Sequence, residues 1–547
     1  MVRPGLCLLL LLAVLTACRP SSPTPSPAPS PLAPGTIVGV VRDAEGPVAG
    51  ATVRVQATDN KTTTTADGSF VLGLTTTTPV SVTAWAEGYF VGWISAVSGA
   101  GPVTITLKPY YTTDNPDYAW FSMEGAEGSR SCSHCMPAYE EWVEDAHSQS
   151  AVNPRFLTMY NGTDVDGNRS PPARYVYNRN YGFFPVRPDP DEPYYGPGYR
   201  LDFPNTAGNC ATCHVPAAAA YPGRAYSVDP NQVSGIEAEG VFCEFCHKIG
   251  DVILDPATGL PYPNRPGVLS LRLYRPGEGQ QLFFGNFDDV TRRVSYLPLE
   301  EESSFCAPCH FGVFWDTLVY NSFGEWLDSP YSDPETGRTC QDCHMPIAGY
   351  DYFVFPEKGG LRRDPNRIFS HRMPGASDEA FLQNAVAMTA TAWLEEGTLV
   401  VEVSITNDRT GHYVPTGSPL RHLILTVQAI DGQGQALPQQ GGPTVPEWGG
   451  PQAGQPGKAF AKVLETLWTE ISPTSAYWNP TRVLSDNRLA PFATDVSTYT
   501  FDAPEEGLVR VEVTLLYRRA FARLMEQKGW DVPDIVMEEQ GLEVVRP

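Results

Sequence analysis

Histidine is scarce in this chain, with nine among 547 residues. Basic residues are also in deficit, 38 against 62 acidic ones, for a formal net charge of −24. That balance repels polyanions, so a nucleic-acid partner is excluded and so is adhesion to an anionic bilayer by charge alone. No long apolar run exists. Residues 6–15 are hydrophobic, but a membrane span needs about 20 such residues. No glycine loop suited to cradling phosphate and no Ser/His/Asp arrangement suited to hydrolysis is evident. Asn161-Gly162-Thr163 is a glycosylation sequon by letter only. The 42% hydrophobic content excludes global disorder, and the length argues for about three domains.

The chain opens with Arg3 and the short apolar run, the pattern of an export signal. The run ends in Leu15, Thr16, Ala17 and Cys18, which resemble a bacterial lipobox with Cys18 as the lipidated residue. Residues 1–17 are then a signal peptide. Residues 18–35, rich in Pro, Ser and Ala, form an extended spacer that cannot bury a core. The expected location is the cell envelope, in the periplasm or at the cell surface, with the protein held to a membrane by its lipid.

From residue 36 to 109 apolar residues alternate, as in Val53/Val55, Val80/Val82/Ala84 and Val103/Ile105/Leu107, with turn signals at Asp67-Gly68. Period-2 runs between turns predict a small β-sandwich. Gly39-Val40-Val41-Arg42, Pro47-Val48-Ala49-Gly50-Ala51 and Thr65-Ala66-Asp67-Gly68-Ser69-Phe70 resemble the carboxypeptidase regulatory-like domain, which implies a non-catalytic role in spacing or docking. Residues 110–390 show little periodicity and much Pro, Gly, Tyr and Cys, so something beyond an apolar core must hold this loop-rich, partly helical part. In residues 391–547 the alternation returns, at Leu399/Val401/Val403/Ile405, Leu423/Leu425/Val427/Ala429 and Val509/Val511/Val513/Leu515. It predicts a second β-sandwich-like domain, closed by a short helix near residues 519–527.

Ten cysteines remain once Cys7 and Cys18 are set aside, and all ten fall into five C-x-x-C pairs. Four pairs are followed at once by histidine: Cys210/Cys213/His214, Cys243/Cys246/His247, Cys306/Cys309/His310 and Cys340/Cys343/His344. Two thiols three positions apart can each bond a vinyl group of one porphyrin, and the next residue then lies under the iron as its proximal ligand. Zinc and disulfides both use cysteine pairs, but neither calls for a histidine after each second cysteine. Four covalent haems c are therefore expected.

The region 132–425 resembles the multihaem c-type cytochromes related to the tetrahaem cytochromes of nitrogen metabolism. The likeness rests on the four attachment motifs, the Cys132 region with Trp142 and His147, and the loop Gly411-His412-Tyr413-Val414-Pro415-Thr416-Gly417. It implies distal ligation by His147 and His412. His147 continues one face of a predicted helix with Tyr139, Trp142, Val143 and Ala146. His371 lies in a loop before a helix predicted to be capped by Ser377, and it is a third distal candidate. His422, at the start of a strand, is a fourth, and His134 ranks below it. The fifth pair, Cys132/Cys135, carries Met136 where relatives carry histidine. It reads either as a local disulfide or as a methionine-ligated fifth haem. The family contains both carriers and enzymes. The expected function is extracytoplasmic electron transfer with redox partner proteins, self-association being left open. The alternative is a haem oxidoreductase acting on a small nitrogen or sulfur species at a five-coordinate haem.

Overall fold

The computed structural model describes residues 35–121, 127–135, 137–186 and 190–546. The signal segment, Cys18, nearly all of the spacer and Met136 lie outside the described residues. The chain is β-rich and multisheet, with few and mostly one-turn helices. No helix among the described residues is long and apolar enough to cross a membrane.

The N-terminal alternation becomes two facing sheets. Thr36–Arg42 lies between Ser69–Gly73 and Val103–Thr106, and Thr52–Val55 pairs with Lys61–Thr63 and Val80–Trp85, which pairs in turn with Gly92–Ala96. Every second residue turns inward, so Ile37, Val41, Val53, Phe70, Leu72, Val82 and Ile105 form one core. Gly39 is needed where it stands, because a Cβ there would lie 2.2 Å from the Val103 carbonyl oxygen. This sandwich is docked on the middle of the chain. Arg54 pairs with Asp288 at 2.9 Å, the Ala57 N–H donates to Asp289 at 2.7 Å, and Trp85 Nε1 donates to Ser295 at 3.1 Å. Asp289 also holds Arg363 at 2.7 Å, with both side chains buried.

The middle has four two-stranded ribbons and many single turns. Attachment motifs form turns of their own at Ala211–His214, Cys243–Cys246 and Cys340–His344. The last is secured by a capping box, Thr339 accepting from the Asp342 N–H and Asp342 accepting in return. Two sequence expectations shift here. The helix after Cys135 is Ala138–Glu144, so His147 lies beyond its end. Asp145 stops it by accepting the His147 N–H at 2.8 Å, a local bond that competes with helix continuation. The helix expected after Ser377 is Glu379–Leu382, and its cap is Asp378, which accepts the Phe381 N–H at 2.8 Å.

The C-terminal part is two sheets of four and five strands around Leu399, Val401, Leu423, Leu425, Phe460, Phe501 and Val513. Full burial of each such side chain contributes about 1.5–3 kcal/mol. The closing helix is Ala522–Lys528, and buried Lys528 donates to the carbonyls of Thr158, Thr163 and Pro197. That grip fixes the helix Pro154–Asn161, which lies beside the site.

Candidate functional site

All five C-x-x-C pairs open onto one cavity of about 2520 Å³ enclosed by the middle and C-terminal parts. Small-molecule pockets measure roughly 300–1,000 Å³, so this space suits several large groups. No disulfide joins any of the ten cysteines, so the local Cys132–Cys135 bridge is not formed in the structure. Thiols of different motifs meet: Cys213 with Cys309, Cys306 with Cys340, and Cys132 with Cys243. The Cys306/Cys309 motif therefore touches two others, and Cys246 lies near it as well.

Eight of the nine histidines line the cavity. Their Nδ1 atoms are largely taken by the surrounding chain. His214 faces the Ser150 carbonyl at 3.0 Å, His247 that of Phe284 at 2.7 Å, His344 that of Pro374 at 2.7 Å and His412 that of Tyr413 at 3.0 Å. His147 is held instead by the Asp145 carboxylate at 2.7 Å. A ring whose Nδ1–H is bonded keeps its Nε2 lone pair for a metal. Burial pushes His310 down to about 3, helped by the neighbouring His147 and His344. It pushes His344 and His371 down to about 4. These imidazoles are neutral, as ligation requires.

Two pairs of rings stand apart by one repeated distance. The His147 and His310 ring centres are 6.3 Å apart, and so are those of His344 and His412. With a metal–imidazole bond of about 2.0–2.1 Å and a nitrogen-to-centre offset of about 1.1 Å, one metal between trans rings separates their centres by roughly 6.3 Å. In each pair one histidine follows a C-x-x-C and the other comes from elsewhere. His371 lies within electrostatic reach of His247. Among the described residues no three His, Cys, Asp or Glu side chains converge as a direct metal cage. A group that supplies its own equatorial nitrogens and accepts two thioethers fits this donor set, and haem c is such a group.

His214 differs. Its ring stacks on Phe156 at 3.8 Å with an interplanar angle of 4°, and it belongs to neither pair. Near this motif the cavity is lined by Arg155, Arg421 and Arg519, with Tyr477 and Tyr517. None of the three arginines has a carboxylate partner among the described residues. Burial, then the nearby Arg155, lowers Arg519 to about 10.

The expectation for His422 does not hold. It is fully buried in the strand His422–Ile430, stacked on Phe521 at 5.0 Å, and it does not reach the cavity. Strand pairing turns it away from Leu423 and Leu425, and the face it shares is covered by Trp448 and Phe521. His134 does line the cavity beside Cys132 and Cys135. Asp145 and Phe156 were not singled out from the sequence, nor were the three arginines or the buried Glu244, which pairs with Lys248 at 3.1 Å inside the second motif. Only Glu244 and Lys248 carried a signal, four positions apart astride a motif.

The carboxypeptidase regulatory-like domain family matches residues 36–108. No curated protein matches the chain. The crystal structure of a penta-heme cytochrome c552 from Thermochromatium tepidum shares the fold, with a TM-score of 0.52 and 20% identity. The match covers 76% of this chain and 98% of that one.

Proposed function

We propose that this chain is an exported multihaem c-type cytochrome that carries electrons through four covalently attached haems. The observation that carries the reading is the repeated 6.3 Å spacing of His147 with His310 and of His344 with His412. Haem supplies one-electron chemistry, and its potential follows axial ligand, burial and nearby charge. The protein's part is positional. Cys210/Cys213, Cys243/Cys246, Cys306/Cys309 and Cys340/Cys343 would hold the four groups, with His214, His247, His310 and His344 as the ligands supplied by the motifs. His147, His371 and His412 would supply further ligands, each ring oriented through its Nδ1 bond or its burial. The Cys306/Cys309 motif is the junction, since its thiols meet those of the first and fourth sites. Cys132/Cys135, with Met136, lacks a following histidine, and no haem is assigned to it.

A second reading has its own support. Among the described residues His214 pairs with no histidine ring, and its surroundings concentrate three arginines that form no ion pair there. A five-coordinate haem there would bind a small anionic nitrogen or sulfur species, which makes the protein an oxidoreductase. Electron paramagnetic resonance of the oxidised protein tests both. Three low-spin signals and one high-spin signal are expected, and azide that shifts only the high-spin one supports the second reading. All-low-spin spectra overturn it. An intact mass equal to the polypeptide plus lipid and four haems is expected, and a mass with five would return Met136 as an axial ligand.

A further inference from the structure

Among the described residues Arg174–Asn178 and Gly182–Val186 pair only with each other, as an antiparallel hairpin. Tyr177 and Phe183 face one another across it with ring centres 5.3 Å apart, and they are 63% and 74% exposed. Tyr175, Val176 and Tyr181 are exposed beside them. Tyr175, Tyr177 and Phe183 share one face of the ribbon, and exposed apolar side chains grouped in this way mark a contact surface. Within the hairpin itself the charge is positive, although Asp164 and Asp166 precede it and Asp191 and Glu192 follow it. Arg169, Arg174 and Arg179 are exposed, and no acidic residue occurs from 167 to 186 in a chain of net charge −24.

The hairpin is rooted rather than loose. Phe184 stacks on Trp468 at 4.8 Å, and the Tyr175 hydroxyl donates to the Asp202 carbonyl. Asp202 ends the turn Tyr199–Asp202, and from Tyr199 a file of rings runs inward. Tyr199 stacks on Tyr160 at 5.7 Å, Tyr160 lies 6.0 Å from Phe156, and Phe156 lies 3.8 Å from His214. The exposed patch thus stands at the outer end of an aromatic file whose inner end is an attachment motif.

We propose that this hairpin is the docking surface for an acidic one-electron carrier protein, seated on Tyr177 and Phe183 and steered by Arg169, Arg174 and Arg179. The carrier exchanges one electron with the group held by His214: one centre loses what the other gains, and no bond forms or breaks. This rests on the electron-transfer reading. Positive charge around a small apolar centre is the arrangement that speeds encounter with a negative partner and weakens as salt rises.

A plant-type ferredoxin serves as the acidic probe and mitochondrial cytochrome c as the basic one. Equilibrium binding to the oxidised full-length protein and stopped-flow electron exchange are measured at low and high salt. Arg174→Glu/Arg179→Glu is expected to weaken ferredoxin binding about tenfold or more at low salt and to flatten the salt dependence. Tyr177→Ser/Phe183→Ser should weaken it at both salt levels. Haem content, spectra and reaction with cytochrome c should stay those of the wild type. Ferredoxin binding that both variants leave unchanged overturns the proposal. So does a wild-type oligomer in sedimentation that Tyr177→Ser/Phe183→Ser dissociates, because the occupant is then a second copy of this chain. A preparation without covalent haem strikes the electron-transfer reading instead, while the binding arm still reports on the hairpin.

Discussion

Replacing Asp145 by asparagine isolates the electrostatic part of one ligand pair. The Asp145 carboxylate lies 2.7 Å from His147 Nδ1, and its side chain is only 4% exposed. Asparagine retains an oxygen for the ring N–H and for the His147 backbone N–H, so the geometry should persist. What is lost is one negative charge about 6 Å from a metal on Nε2, which at an effective dielectric constant of about 20 amounts to roughly 2.8 kcal/mol. That equals about two factors of ten, or about 120 mV for one electron. Mutating the group behind a metal-bound histidine typically costs about 10–100-fold in affinity, which gives about 60–120 mV when confined to the ferric state. The charge favours ferric iron, so Asp145→Asn should raise one midpoint by roughly 60–120 mV and leave the others nearly in place. A potentiometric titration followed by optical and electron paramagnetic resonance spectra reads this directly. A set of midpoints that does not move, or that moves as a block, would refute the pairing of Asp145 with a ligating His147.

His412→Ala should turn one low-spin haem high-spin with covalent haem content intact, as read by absorption and mass. His422→Ala should leave those spectra untouched and instead destabilise the C-terminal sandwich by about 2–4 kcal/mol in denaturant melts, through the cavity left beside Phe521. Arg54→Ala leaves the mostly buried Asp288 without its partner, a loss of about 3–5 kcal/mol, and should expose residues 109–113 to limited proteolysis while the haem spectra stay constant. Cys18→Ser should release the protein from the membrane fraction, and an unchanged fractionation would end the lipoprotein reading.

The two β-rich ends were legible because a half-buried strand repeats every two residues, and Leu399/Val401/Val403/Ile405 could face a core in only one way. The attachment motifs were legible because thioether chemistry tolerates one spacing. The partners across the cavity were not, since nothing local ties His147 to His310 or His412 to His344. Those couples exist only once distant segments have packed. The same holds for Arg155, Arg421 and Arg519, which come from a helix and from two connections far away in the chain. His422 shows the converse: the period-2 pattern of Leu423/Leu425/Val427/Ala429 turned it away from that core, and only packing shows that its own face is covered as well, by Trp448 and Phe521. Caps were read one residue off at Ser377, because Ser and Asp compete for the same bond and only geometry chooses Asp378.

The meeting of sulfurs from different motifs bears on how the molecule is made. Cys213 lies against Cys309 and Cys306 against Cys340, so in the packed chain a thiol finds a foreign neighbour at hand. In the oxidising envelope proposed for this chain, such neighbours would become cross-links. Compaction before the cofactors are attached would therefore lock the wrong sulfurs together, and each cross-link would consume attachment points at two sites. The proposed cofactors would then have to be attached first, each pair loaded on an open chain and the walls of the cavity closing afterwards around what they hold.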